Sequence, residues 1–202
     1  MNTIFQKSKT RENLMRAFAG ECQARTRYDL SASQTKQKLY VVSALFKFTA
    51  NQEKEHAEIF YNHLSPCATE NVNIDGSYPI DISTDAAKLL RMAAHNENEE
   101  HDVVYSSFAK DAREEGFSKI AQDFENIAKI EKTHAQKFEY FAELLEKGEL
   151  FVSDVMTKWM CLNCGYTLET REAPAVCPVC NHDRGYFIRF ELSPWCKLPN
   201  NR

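Results

Sequence analysis

Glycine is scarce in this 202-residue chain: there are six, at positions 20, 76, 116, 148, 165 and 185, all far apart. No Gly-x-Gly-x-x-Gly can be written from them, so the usual dinucleotide-binding turn is missing. Lysine and arginine form no run, and the net charge of -4 argues against a nucleic-acid partner. No apolar stretch approaches the roughly 18 residues that a membrane span requires, so no membrane partner is expected. The segment Met1 to Lys9 lacks the apolar core that directs export, which makes the cytoplasm the expected compartment. What remains, 43% hydrophobic and 27% charged, is ordinary for a globular protein. The length suits one sizeable core and a small second module.

Against that plain background, four glutamates stand where a helix should be apolar. Residues three, four and seven apart share a helical face. Glu21 shares its face with Leu14, Ala17, Phe18, Ala24 and Tyr28; Glu53 with Phe46, Ala50, Ala57 and Phe60. Glu97 lies with Leu90, Ala93, Ala94 and Val104; Glu131 with Phe124, Ile127, Ala128, Ala135 and Phe138. Glu58, by contrast, shares its face with Asn51, Lys54, Glu55 and Asn62, an ordinary solvated stripe. A buried carboxylate is costly unless a cation or hydrogen bonds compensate it. Two of the four also lead a Glu-x-x-His, Glu53 to His56 and Glu131 to His134, which sets an imidazole one turn further along the same face. One such pair is weak evidence, since it can equally be a surface hydrogen bond. Two pairs and two single glutamates, all on apolar stripes, point to a dinuclear metal site. Mixed oxygen and nitrogen ligation suits iron or manganese. His63, His95, His101 and His182 lack this context and read as ordinary polar residues.

The order of these elements is duplicated. Residues from about Lys9 to Gly148 read as four long helices, the first from near Thr10 to the Ser31–Lys38 region and the second from Leu39 to Leu64. A polar crossover from Cys67 to Ile82 follows, then a third helix capped by Ser83 or Thr84 with Asp85 in its first turn. Gly116 and Gly148 are placed to end the third and fourth helices in the left-handed conformation. Glu21 precedes Glu53 by 32 residues and Glu97 precedes Glu131 by 34, so each half supplies one inward Glu and one Glu-x-x-His. That is the ligand pattern of di-iron carboxylate bundles with a ferritin-like crossover. The expected architecture is mainly α: a ferritin-like bundle over residues 1–148 and a small β/loop metal domain over 149–202.

That second module carries four of the seven cysteines. Cys161-Leu-Asn-Cys164 and Cys177-Pro-Val-Cys180, twelve residues apart, form a tetrahedral sulfur site. Spacing alone does not separate a zinc ribbon from a one-iron redox centre. Gly165-Tyr166 after the first pair and Pro178 inside the second lean toward the rubredoxin type. Cys22, Cys67 and Cys196 are left over as thiols without a role, and residues from Lys197 on read as a frayed end.

Taken together, the chain resembles the rubrerythrins, in which a ferritin-like di-iron bundle precedes a rubredoxin-like domain. The resemblance is carried by Gly20-Glu-Cys-Gln-Ala-Arg-Thr-Arg-Tyr28, Glu53-Lys-Glu-His-Ala57, Glu97-Asn-Glu-Glu100-His101 and Ala112-Arg-Glu-Glu-Gly-Phe117. It implies that Glu53 and Glu131 bridge two irons, that Glu21 and Glu97 are terminal, and that His134 binds one iron throughout. It adds Glu100 as a ligand that exchanges with His56 between oxidised and reduced states. Tyr28 and Tyr105 are implied as partners that orient carboxylates. One departure is Asn181, where rubredoxins usually have Gly; Asn tolerates the left-handed backbone, so the turn is expected to persist.

The activity implied is reduction of hydrogen peroxide to water in oxidative-stress protection. Electrons would pass through the four-cysteine iron from rubredoxin or an external NAD(P)H-dependent reductase of the rubredoxin reductase type. A homodimer is also implied. An iron-oxidising protein and a zinc-ribbon adaptor on a helical bundle are the other readings that the residues leave open.

Overall fold

The computed structural model of the chain describes residues 3–194. Its helices are α1 (Thr3–Gln6), α2 (Lys9–Thr35), α3 (Tyr40–His63), α4 (Ala86–Glu99), α5 (Tyr105–Glu114) and α6 (Ser118–Glu146). α2 packs along α3, and the α4–α5 rod packs along α6, with a long crossover between the two pairs. The result is the four-helix, ferritin-like bundle that the apolar stripes predict. Short α1 is an addition that the sequence pattern did not signal. Among the described residues no helix is long and apolar enough to cross a membrane.

The helix ends follow from local chemistry. Ser8 caps α2 by accepting from the Arg11 amide at 3.1 Å. From the opposite helix pair, the Glu115 carboxylate accepts from the amides of Lys9 and Thr10, both at 2.8 Å. Three of the unpartnered amides of the first turn are thereby satisfied. The third helix starts one residue later than expected: Asp85, not Ser83 or Thr84, is its cap, with Oδ1 accepting from Ala87 N at 2.8 Å. Ser83 instead braces the cap by accepting from Asp85 N. Gly116 (φ +87°) and Gly148 (φ +69°) close their helices in the left-handed region, as predicted. In each case the next amide reaches back a full turn, Phe117 N to Ala112 O and Glu149 N to Leu144 O, both 2.7 Å.

The third helix is not continuous. Between α4 and α5 a π turn, Glu100–Val104, inserts an extra residue per turn and re-phases everything after it. Val104, predicted to lie with Glu97, is consequently only half-buried. Tyr105 takes the interior place instead, 2% exposed.

The bundle core comes in two halves. One is built on Tyr28, Phe46, Leu90 and Phe138, the other on Leu14, Phe60, Tyr105 and Phe124. Glu21 lies between Ala17 of the second half and Ala24 of the first, so the charged layer is closed off from both ends.

Beyond α6, strands β1 (Val152–Cys161), β2 (Thr167–Glu172) and β3 (Phe187–Arg189) form an antiparallel sheet in the order β2-β1-β3. Trp159, fully buried, anchors its small core and donates from Nε1 to Thr170 O at 3.0 Å. This module rests on the corner between α2 and α3. Tyr186 stacks on Tyr40, with ring centroids 4.0 Å apart and planes 9° apart. Gly185 fits against Lys38 O so closely that a Cβ there would lie 2.6 Å from it. Of the leftover thiols, Cys22 is exposed and Cys67 buried; Cys196 and the expected frayed end lie outside the described residues.

Candidate metal centres

The four stripes converge. Glu21, Glu53, Glu97, Glu131, His56 and His134 are all buried, the carboxylates at no more than 1% exposure. They form two overlapping groups, Glu21–Glu53–His56–Glu131 and Glu53–Glu97–Glu131–His134, each with ligand atoms within 4.8 Å of one another. Glu53 and Glu131 belong to both. His56 Nδ1 lies 2.9 Å from Glu53 Oε2 and 3.0 Å from Glu131 Oε1, with Glu21 Oε2 at 3.9 Å. His134 Nδ1 lies 3.1 Å from Glu53 Oε1 and 2.8 Å from Glu131 Oε2, with Glu97 Oε2 at 3.5 Å. Each imidazole thus has one carboxylate of its own and shares two.

The surrounding residues hold this set in place. The Tyr28 hydroxyl donates to Glu97 Oε1, and the Tyr105 hydroxyl donates to Glu21 Oε1. Each tyrosine therefore steadies a carboxylate from another helix. His134 Nε2 donates to Gln52 Oε1 at 3.0 Å, so the neutral ring, the form that binds a cation, turns its Nδ1 lone pair to the cluster. Nothing in the sequence pattern marks Gln52 for this role. Its position just before Glu53 turns it to another face, and only the packing of α3 against α6 shows that it meets His134.

The electrostatics test whether cations fit. Burial pushes the carboxyls of Glu21, Glu97 and Glu100 well above the usual range, and neighbouring carboxylates add to this. Burial likewise raises the hydroxyls of Tyr28 and Tyr105. Burial opposes the charge on His56 and His134, yet Glu131 and Glu53 outweigh it and raise them to about 9 and about 12. Burial also opposes the charge on Glu131, but the two histidines hold it down at about 2. Protein groups alone satisfy this layer poorly. Glu21 Oε2, Glu53 Oε1, Glu97 Oε2, both oxygens of Glu131 and His134 Nδ1 make no well-directed hydrogen bond, although fully buried. Unsatisfied oxygens and an imidazole lone pair aimed inward are what a pair of divalent cations would satisfy, reversing the preference for neutral carboxyls.

Glu100 stands outside both groups. It opens the π turn, is half-buried, and lines a cavity beside Tyr105. His56 is the residue that sits in the cluster on that side. The π turn is the reason sequence spacing misjudges this stretch, since the widened turn changes the phase at Glu100 itself.

The second centre is a tight thiol cluster. Cys161 Sγ lies 3.7 Å from Cys180 Sγ, and Cys164 Sγ lies 3.6 Å from Cys177 Sγ. A tetrahedral ion with metal–sulfur bonds of about 2.3 Å would set sulfurs about 3.8 Å apart. The two loops are matched: Gly165 N donates to Cys161 O at 2.8 Å, and Asn181 N to Cys177 O at 2.9 Å. Gly165 (φ +76°) and Asn181 (φ +59°) take the same left-handed turn, so the asparagine keeps the expected geometry. Backbone amides point at the sulfurs. Burial raises the Cys161 thiol to about 12, against the amides of Cys164 and Asn163, whereas the His182 amide brings Cys180 down to about 6. Such amide–sulfur bonds tune the potential of a thiolate-bound iron.

Comparison with known proteins places these features together. The family model "Rubrerythrin" matches residues 12–142 and 88–160, and "Rubrerythrin, rubredoxin-like domain" matches residues 159–188. Rubrerythrin of Clostridium perfringens is 44% identical over 91% of this chain and 95% of its own length. Nigerythrin in its fully reduced, all-ferrous state is 26% identical with a TM-score of 0.60, covering 91% of this chain and 90% of that one. The bacterioferritin of Desulfovibrio desulfuricans, 24% identical with a TM-score of 0.63, covers 74% of this chain and 86% of its own and shares the bundle fold.

Proposed function

Because the chain belongs to the rubrerythrin family, we propose that it reduces hydrogen peroxide to water in the cytoplasm, protecting against oxidative stress. The observation that carries this reading is the sharing of Glu53 and Glu131 by both histidines in a buried layer, within a chain that also holds four clustered thiols. When bound, a pair of irons supplies two electrons and Lewis acidity for cleaving the O–O bond, two protons being taken up as two waters form.

The chain's own residues define the rest. Glu53 and Glu131 would span the two metal positions, with Glu21 and Glu97 terminal and His56 and His134 completing each set. Tyr28 and Tyr105 keep Glu97 and Glu21 from turning away, and Gln52 fixes the tautomer of His134. The two apolar halves of the core exclude water from the charged layer, which strengthens every electrostatic contact inside it. Glu100 stands at the cavity wall beside Tyr105. In the family's pattern the same residue exchanges with His56 as a ligand, and we carry that assignment over as part of the proposal.

Cys161, Cys164, Cys177 and Cys180 would hold the one-electron iron that passes electrons from rubredoxin or an NAD(P)H-dependent reductase. Within one chain these thiols sit by Tyr40, at the start of α3. His56 is sixteen residues further on, about 24 Å along the helix axis at ~1.5 Å per residue. That separation supports a homodimer in which the thiolate iron of one copy serves the carboxylate cluster of the other.

The test is turnover of the metal-replete protein with NADH, a rubredoxin reductase and hydrogen peroxide. NADH and peroxide should be consumed in equal amounts. Cys177→Ser should abolish this donor-fed turnover while the chemically reduced protein still consumes peroxide once. Metal-replete protein that oxidises no NADH on addition of peroxide would overturn the reading.

A further inference from the structure

A cavity of about 190 Å³ lies between α2, α4, α5 and the crossover, and it reaches Glu100 and Tyr105 beside the carboxylate cluster. Among the described residues, a cavity between Asp29 and Phe48 and another between Ile4 and Glu115 touch no residue of that cluster. At its outer wall the first cavity is bounded by Asp75, Gly76, Ser77, Tyr78 and Pro79 of the crossover. Resting on the proposed reaction, we infer that this cavity is the solvent entrance to the cluster and that the Tyr78 ring is its gate. The gate admits a peroxide as small as hydrogen peroxide and discriminates against hydroperoxides with a bulky organic group.

The crossover is held at both ends of this stretch. Arg16 Nη2 donates to Asp75 Oδ1 at 2.7 Å. Asp81 accepts from Arg27 of α2 and from Asn96 Nδ2 of α4, the latter at 2.7 Å. Arg16 and Arg27 stand eleven residues apart on α2, about 16 Å at ~1.5 Å per residue. The six steps from Asp75 to Asp81 span at most about 22 Å when extended. Opening by backbone displacement would pull on the ion pairs at the ends of this stretch. A side chain is the part free to move.

Tyr78 is that side chain. It is 41% exposed, and its hydroxyl makes no hydrogen bond among the described residues. Its ring reaches toward Gly20, the residue before Glu21, where a Cβ would lie 4.0 Å from Cε1. On the other side a Cβ on Gly76 would come within 2.8 Å of the ring. Gly76 does not take a positive φ, and its lack of a side chain leaves room for the ring. Small polar molecules passing the ring meet Gln23, Asn96 and Glu100, groups that can hydrogen-bond an uncharged peroxide.

The experiment compares kcat/KM for cumene hydroperoxide with that for hydrogen peroxide in the full-length, metal-replete protein. Discrimination by size alone is worth about 10-fold or more, so Y78A should raise this ratio at least about 10-fold. Y78F, which retains the ring, should keep the wild-type ratio. In the double variant G76A/Y78A the ring is already gone, so the added methyl should leave the ratio where Y78A alone puts it. A ratio unchanged in Y78A overturns the gate. A second readout needs no turnover: uptake of cobalt(II) into the carboxylate cluster of protein whose four thiols already hold a metal, so that thiolate-bound cobalt adds nothing to the visible absorption followed. Y78A should load faster than wild type, and Y78F at the wild-type rate. Wild-type protein inactive with every peroxide would defeat the proposed function, and cobalt uptake would then decide the entrance by itself, unchanged uptake in Y78A overturning it.

Discussion

His56 and His134 face each other across the bundle with ring centroids 5.8 Å apart and planes inclined by 22°. The two oxygens of Glu131 lie between them, one against each Nδ1, at 3.0 and 2.8 Å. Glu53 repeats the arrangement from α3 at 2.9 and 3.1 Å. The near-symmetry follows from the duplicated order of the helices: each half of the chain provides one Glu-x-x-His, and antiparallel packing turns the two motifs toward a common centre.

Removing the shared carboxylate should therefore damage both metal positions together. In Glu131→Ala, iron bound in the bundle is expected to fall from two per chain to below one by metal analysis. Since loss of a supporting partner alone costs about 10–100-fold in affinity or activity, peroxide turnover should fall by at least about 100-fold. Retention of two irons would show that Glu131 does not span the pair.

The tyrosines offer a milder test. Tyr28→Phe and Tyr105→Phe keep the ring in the core and delete only the hydroxyl that donates to Glu97 or Glu21. Each is expected to lower metal affinity or peroxide turnover by about 10–100-fold. Global stability should fall by about 1–3 kcal/mol in urea unfolding, the cost of leaving one buried acceptor unpaired.

Where the thiolate module meets the bundle, Gly185 is the sensitive point. A methyl group there would press on the Lys38 carbonyl at 2.6 Å, and backbone cannot yield as a flexible side chain can. Gly185→Ala should part Tyr186 from Tyr40 and expose the α2–α3 corner to limited proteolysis. The four-cysteine site, built from loops within the module, should retain its metal and its absorption spectrum.

Acid should loosen the start of α2. Burial opposes the charge on Glu115, but the Thr10 hydroxyl and the amides of Thr10 and Lys9 outweigh it and hold its carboxyl below the ordinary 4.5. A carboxyl depressed in the folded state stabilises fully above 4.5, and that stability is lost as pH falls through the lower folded value. Glu115→Gln should cost about 1 kcal/mol at pH 7, the usual worth of a helix cap. The difference from wild type, read from urea unfolding between pH 7 and pH 3, should shrink below pH 4.5.

Much of the site was legible because it rests on helical periodicity. Glu21, Glu53, Glu97 and Glu131 were identifiable by their apolar neighbours, and the histidines by sitting one turn away on the same face. Other features depend on how separate helices are staggered, which a single stripe does not encode. Gln52 reaches His134 only because α3 and α6 lie at a particular height relative to each other. The π turn at Glu100–Val104 is a phase change within one helix, and it alone determines that Tyr105, and not Val104, enters the core. Asp85 caps the helix in place of Ser83 or Thr84 because all three are good caps and their neighbours decide among them.

The sequence by itself determined the fold class and the kinds of chemistry. Burial periodicity selects a four-helix bundle, paired Cys-x-x-Cys loops select a thiolate site, and scarce glycine leaves no dinucleotide turn. Only the tertiary structure decided which carboxylate faces which histidine, which hydroxyl steadies which oxygen, and that Tyr78 lies over Gly20. Those are contacts between residues far apart in the chain. They depend on the relative height and rotation of packed elements, set by the whole core and by no single segment of it.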